Sequence, residues 1–388
     1  MLTQIIFWLI SLLCGKPEVN IVPSGQPTRE DKIKGLIVGS VIGDAAGGPV
    51  EFVFPVEQSR WTARELRLDG RGVLDLSTRF KLRPYFKEAA PYAQWRDNAP
   101  SGTITDDTRF KVIFFNALEN QPTLDASSFA REILTFEQQF SQEEYVLCRE
   151  WLKEFKYAAQ WQLGRPETEG GLPPDRMWAG RPSMAGQMPF LPVAALRPND
   201  PLWCYKKTWE LDFFDTGVSK DIHAAVVAGL SEALSEGADW ESIEETMRNT
   251  DPYHFEGAKY SRRMLNTWLD FAHDAVRRAN GKPKILFEIL EQELKAEKWW
   301  ECWVPVVVVF SCAEMAQYHP IASMQLVLEF GHDSDSYAQL MGAFMGALHG
   351  QQVFDPVMVQ TVKDRLYKDY HQSMDDWLIL LKESTCKY

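Results

Sequence analysis

Lys32-Ile33-Lys34-Gly35-Leu36-Ile37-Val38-Gly39-Ser40-Val41-Ile42-Gly43-Asp44-Ala45-Ala46-Gly47 carries a glycine at every fourth position from Gly35. A glycine inside a helix costs about 1 kcal/mol relative to alanine, so a stripe of them requires compensation. Spaced along one helix face, they let another backbone approach closely. Lys32, Lys34 and Asp44 interrupt the apolar run, which excludes a membrane span and leaves a tightly packed central helix. Thr28 is its expected cap, with acidic residues in the first turn. A second stripe, Gly342, Gly346 and Gly350, lies near the other end of the chain.

Outward from this stretch the pattern stays helical. Amphipathic periods cover roughly 124–140, 142–163, 219–237, 240–250, 257–279 and 284–297, and no segment alternates with period two for long. Val306 to Phe310 reads as a strand by length and β-branching. Its continuation through Cys312 to Gln317 suits a buried helix with Pro305 in the first turn. Residues 53–100, with Pro55, Pro84, Pro91 and Pro100, are the least regular. Their aromatics suggest a packed excursion, with a lid beside Thr105 to Thr108 as one reading. Gly164 to Pro201 is a Gly/Pro-rich connection. The expectation is one all-α domain over 28–388, long enough at 388 residues and 45% hydrophobic to bury a large core.

Residues 1–27 form an apolar N-terminal segment and linker. Ile5 to Cys14 is too short to span a bilayer but has the length of a signal-peptide core, although Met1 to Gln4 holds no basic residue. An export signal, a lipid anchor at Cys14 and an exposed apolar helix are the readings, so localisation stays open between exported and cytoplasmic. The net charge of −13 argues against nucleic-acid binding. Six cysteines without a CxxC pair and seven scattered histidines exclude a zinc site and a disulfide framework.

Two acidic clusters open helical patterns. Thr105-Asp106-Asp107-Thr108 precedes one, and Asp333-Ser334-Asp335-Ser336 precedes the second glycine stripe. Each alone reads as a helix cap. Together they hold more carboxylates than capping uses, and adjacent carboxylates are tolerated best around a cation. Their hard oxygens suit Mg²⁺ or Mn²⁺, or Ca²⁺ with more ligands, and are numerous enough for two cations about 3.5–4 Å apart. Ser183 to Gly186, inside the Gly/Pro-rich connection, reads as an ordinary loop or as one offering backbone N–H groups to phosphate.

These residues resemble the ADP-ribosylglycohydrolase family. Gly43-Asp44-Ala45-Ala46-Gly47-Gly48-Pro49-Val50-Glu51-Phe52 matches its first motif, Thr105 to Thr108 its T-D-D-T, and Gly331-His332-Asp333-Ser334-Asp335-Ser336 its C-terminal motif. The resemblance implies a compact orthogonal helical domain and a Mg-dependent hydrolase cleaving the glycosidic bond between ADP-ribose and a modified acceptor. It implies two Mg ions (or Mn) held by Thr105, Asp106, Asp107, Asp333, Asp335 and Ser336. Glu51, Asp107 and Asp335 carry the catalytic roles, Glu51 as acid/base or gate. Asp44, Ser183, Met184, Ala185, Gly186, Gln187 and His332 are the substrate-binding candidates, and Trp178 is either an aromatic beside adenine or simple packing. His332 stands where the family has glycine. Ser334 and Ser336 replace threonine, the family's loop Asn and Arg are absent, and its Thr-His falls near Asp215-Thr216. These departures leave the acceptor open. The alternatives are a non-catalytic ADP-ribose-binding or structural protein on the same scaffold, and a metal-dependent hydrolase of another glycoside or nucleotide.

Overall fold

The computed structural model describes residues 26–48, 102–120, 123–139, 146–294 and 300–385. Among them there are helices and turns but no strand, apart from an isolated bridge between Ser183 and Glu301. The helices run α1 (Arg29–Gly47), α2 (Asp106–Asn120), α3 (Ala126–Gln139), α4 (Val146–Gln162), α5 (Gln187–Phe190), α6 (Val193–Leu196), α7 (Pro201–Leu211) and α8 (Val218–Ala233). They continue as α9 (Trp240–Asn249), α10 (Met264–Ala279), α11 (Pro283–Leu294), α12 (Val304–Met315), α13 (Pro320–Phe330), α14 (Ser334–His349), α15 (Pro356–Tyr370) and α16 (Met374–Thr385). The all-α expectation is met. The N-terminal apolar segment, the 53–100 excursion and Glu51 lie outside the described residues. Among the described residues no helix is long and apolar enough to cross a membrane.

The centre of the fold is the pair α1 and α14, and each helix supplies the surface that the other's glycines accommodate. A Cβ on Gly39 would lie 2.1 Å from the Gly342 carbonyl oxygen, and one on Gly342 would lie 2.0 Å from that of Gly39. Gly35 meets Gly346 in the same way, Gly43 meets Ala338, and Gly47 meets Ser334 and Asp335. Backbone-to-backbone contact along four turns is what offsets the helix-propensity cost of the stripes. Around this pair, α15 and α16 pack on α1, while α8, α12 and α13 pack on α14. Thr28 caps α1 through a capping box with Asp31.

Local departures from the sequence reading have physical causes. The Val306–Phe310 run is helical, with Pro305 in the first turn of α12, which is buried from Val304 to Ala313. Burial on all sides makes strand and helix indistinguishable by periodicity there. The helix expected from 257 begins only at Met264. Before it, Glu256 accepts the Arg263 N–H, and the buried Arg263 side chain pairs with Asp221 at 2.6 Å. The Gly/Pro-rich connection contains α5 and α6, each a single turn.

Candidate functional site

The helix register delivers both acidic clusters to one place. Because Gly47 lies on Ser334 and Asp335, the last turn of α1 meets the first turn of α14. Ser334 Oγ locks that junction by donating to the Gly47 carbonyl at 2.9 Å. Asp44, in the last turn of α1 and fully buried, accepts the Thr105 N–H at 3.0 Å, the Thr108 N–H at 3.1 Å and the Thr108 hydroxyl. It thereby docks the start of α2 at the same junction.

Capping consumes few of the acidic groups. Thr105 Oγ1 accepts the Asp107 N–H at 3.1 Å and so caps α2. Asp333, at the N-cap of α14, makes no side-chain capping bond. Carboxylate oxygens of Asp44, Asp107 and Asp335 come within 4.8 Å of one another, all buried. Ser336 Oγ donates to Asp107 Oδ2 at 3.0 Å, and Gln339 Nε2 donates to Oδ1. Asp335 Oδ1 is buried with no hydrogen-bond partner.

The electrostatics are those of a crowded acid site. Burial raises the Asp107 and Asp335 carboxyls well above the carboxylate range, and neighbouring acids push them further, Asp335 acting on Asp107 and Asp333 on Asp335. Asp333 is pushed up to about 7 by burial and then by Asp107. Burial also raises Asp44, against the opposing charge of Lys111. Helix N-termini at α2 and α14 favour negative charge there. An orphaned buried carboxylate oxygen beside other converging hard oxygens is the donor set a divalent cation such as Mg²⁺ or Mn²⁺ would satisfy.

Two residues that sequence reasoning missed complete the arrangement. Lys111 Nζ donates to the Asp107 carbonyl at 3.0 Å and to Gln339 Oε1. Accepting from a cation fixes the Gln339 amide so that its NH₂ faces Asp107. Burial lowers the Lys111 pKa, and the surrounding aspartates oppose the drop. The available signal was a lysine one turn beyond Asp107 in an otherwise apolar run.

The expected substrate residues divide. Asp44 belongs to the acidic cluster, with both oxygens already accepting. His332, at φ 59, occupies the left-handed region that favours glycine; it pairs with Glu291 at 2.7 Å and rests against Phe330. The backbone N–H groups of residues 184–187 are engaged. Met184 N–H reaches the Trp300 carbonyl, Ala185 N–H reaches Ser183 Oγ, Gly186 N–H reaches Asp215 Oδ2 and Gln187 N–H reaches the Met184 carbonyl. Gln187 Nε2 donates to the Cys302 carbonyl at 2.8 Å. Trp178 packs against Trp300 and Phe155.

A second buried group, Asp212, Asp215 and His223, underlies that loop. His223 Nδ1 lies 2.7 Å from Asp212 Oδ2 and 3.6 Å from Asp215 Oδ2. Burial alone would lower the His223 pKa, but Asp212 raises it. Burial, then Asp212, pushes Asp215 up to about 7. A wide cavity of about 1330 Å³ near Trp240, Glu244 and His273 includes none of these acidic residues. Donor chemistry, not cavity size, therefore locates the site.

Comparisons with known proteins bear on the family and the fold. A family model described as ADP-ribosylglycohydrolase matches residues 25–387. A solved structure titled "ADP-ribosylglycohydrolase-related protein complex" superposes with a TM-score of 0.55 at 14% identity, covering 92% of this chain and 99% of that one. At that identity the likeness supports the fold. No curated protein matches the chain by sequence.

Proposed function

The chain belongs to the ADP-ribosylglycohydrolase family, and from that premise we propose that it hydrolyses the glycosidic bond between ADP-ribose and a modified acceptor, in a Mg-dependent reaction. The observation that carries this reading is the convergence of Asp107 and Asp335, from α2 and α14, with an Asp335 oxygen left unpartnered in the interior. Thr105, Asp106, Asp107, Asp333, Asp335 and Ser336 would hold two Mg ions, or Mn. When bound, these supply Lewis acidity and orientation to hydroxyl groups of the substrate.

The remaining work falls to the chain. Ser336 and Gln339 each donate to one oxygen of Asp107, which fixes the carboxylate plane. Lys111 holds Gln339 in the donating orientation and partly compensates the local negative charge. Asp44 anchors α2 to α1 so that the two clusters keep their spacing. Glu51 is assigned the acid/base or gating role by its match to the family motif. The partner is an ADP-ribosylated substrate, and no nucleic-acid partner is assigned.

A second reading has one observation in its favour. The backbone N–H groups of residues 184–187 are internally satisfied, which suits a metal-dependent hydrolase of another glycoside. The test is release of ADP-ribose from arginine- and serine-modified proteins, with Mg²⁺ and with chelator. Mg-dependent release from either supports the proposal. No release and no ADP-ribose binding moves the assignment to another glycoside, whereas binding without release indicates a non-catalytic binder.

A further inference from the structure

We propose that Asp215 is a positioning residue for the hydrolytic site, tethering loop 183–186 through two hydrogen bonds and so setting α5 against the helix that carries Asp107. This rests on the hydrolase reading above. Ser183 Oγ donates to Asp215 Oδ1 at 2.7 Å, and the Gly186 N–H donates to Oδ2 at 3.2 Å. One carboxylate therefore clasps both ends of a four-residue loop. The loop runs directly into α5, which packs on α2 and touches α14.

The cradle beneath the loop is shaped for it. A Cβ on Gly186 would lie 2.3 Å from His223 Nδ1 and 2.5 Å from Asp212 Oδ2, so the backbone rests directly on that ion pair. His223 faces both carboxylates, is itself fully buried, and keeps the clasp from being an uncompensated buried charge. Of these three residues Asp215 is the one that accepts from the loop's Ser183 hydroxyl and Gly186 N–H. On the other side the loop is held by the Met184 N–H on the Trp300 carbonyl and by Gln187 Nε2 on the Cys302 carbonyl.

Asp215→Ala removes both acceptors. Asp215→Asn keeps both bonds as a neutral amide, with Oδ1 accepting from Gly186 and Nδ2 donating to Ser183. Kinetics with the ADP-ribosylated protein that the wild type turns over should show the Ala variant with KM raised about tenfold and kcat within about threefold. The Asn variant should recover most of the loss. Amide hydrogen exchange of peptides covering 183–190 should accelerate in the Ala variant, with α1 and α14 unchanged. An unchanged KM in Asp215→Ala, or equal impairment in both variants, would overturn the tether. A wild type without hydrolase activity would sink the functional reading instead; exchange at 183–190 then decides whether Asp215 holds the loop, and unaltered exchange overturns it.

Discussion

Asp335 shows the conflict between stability and function in a single side chain. Its carboxylate is buried beside like charges, one oxygen has no partner, and burial raises its pKa well above the ordinary range. Asp335→Asn removes the repulsion, and without metal it should raise stability by about 1–3 kcal/mol at pH 8. The same change, like Asp107→Asn, should lower kcat at least about 100-fold with helix content intact. Circular dichroism, urea unfolding and the release assay check both halves; full activity in both variants removes the assignment of these residues to catalysis. The sequence made both residues visible, because two aspartate–hydroxyl clusters at helix starts exceed what capping consumes. It did not reveal Lys111, Gln339 or the Asp212–Asp215–His223 group. Lys111 and Gln339 are 228 positions apart, and a buried lysine resembles a solvated one until its neighbours are placed. Asp212, Asp215 and His223 are close in sequence but at no recognisable ligand spacing. Glu291 is a similar case: it supports His332 from a helix whose sequence shows only amphipathic spacing.

Among helices, the glycine stripes and one ion-pair bridge decide the packing. Alanine at position 39 or 342 would gain about 1 kcal/mol of helix propensity. Its Cβ, however, would meet a carbonyl oxygen of the opposite helix at 2.1 or 2.0 Å. That obstacle is backbone and cannot rotate away, so each variant should lose about 3 kcal/mol or more. Gly257→Ala, whose Cβ would come no closer than 3.7 Å to the His254 carbonyl, should stay within about 0.5 kcal/mol. Urea unfolding of the three variants compares them. The stripes were legible as a demand for close approach, but which surface met the demand was not, because a stripe encodes a distance and no address.

His273 of α10 joins Glu244 of α9 at 2.8 Å to Glu314 of α12 at 2.6 Å. Its pKa is raised to about 9 by the Glu244 hydrogen bond, against partial burial, with Glu314 adding to it. A raised histidine pKa contributes stability that is complete below the unfolded value near 6.5 and is lost as pH rises through about 9. The side chain is 39% exposed, so after solvent screening the contribution is about 1 kcal/mol. His273→Gln should therefore cost stability at pH 6 and almost none at pH 10. Equal loss at both pH values would mean packing, not charge.

At the scale of the whole molecule, the site closes the chain on itself. Asp107 and Ser336 are 229 positions apart yet share a hydrogen bond, and the helices carrying them are held together through α1. A cation bound between the clusters would cross-link the start of α2 to the start of α14, and an unfolded chain would offer no such arrangement. Binding to the folded state alone stabilises by RT ln(1 + [L]/Kd), about 2.7 kcal/mol at a hundredfold excess over Kd. The net charge of −13 adds a general attraction for cations, so raised stability in Mg²⁺ by itself does not identify the site. The discriminating quantity is the difference between chains. In wild type, saturating Mg²⁺ should raise Tm and chelator should reverse it, while in Asp107→Asn most of that increment should disappear. If the variant retained the full Mg²⁺ increment, the cation would be acting on surface charge, and α2 and α14 would be joined by α1 and by the Ser336, Gln339 and Lys111 hydrogen bonds without a metal cross-link.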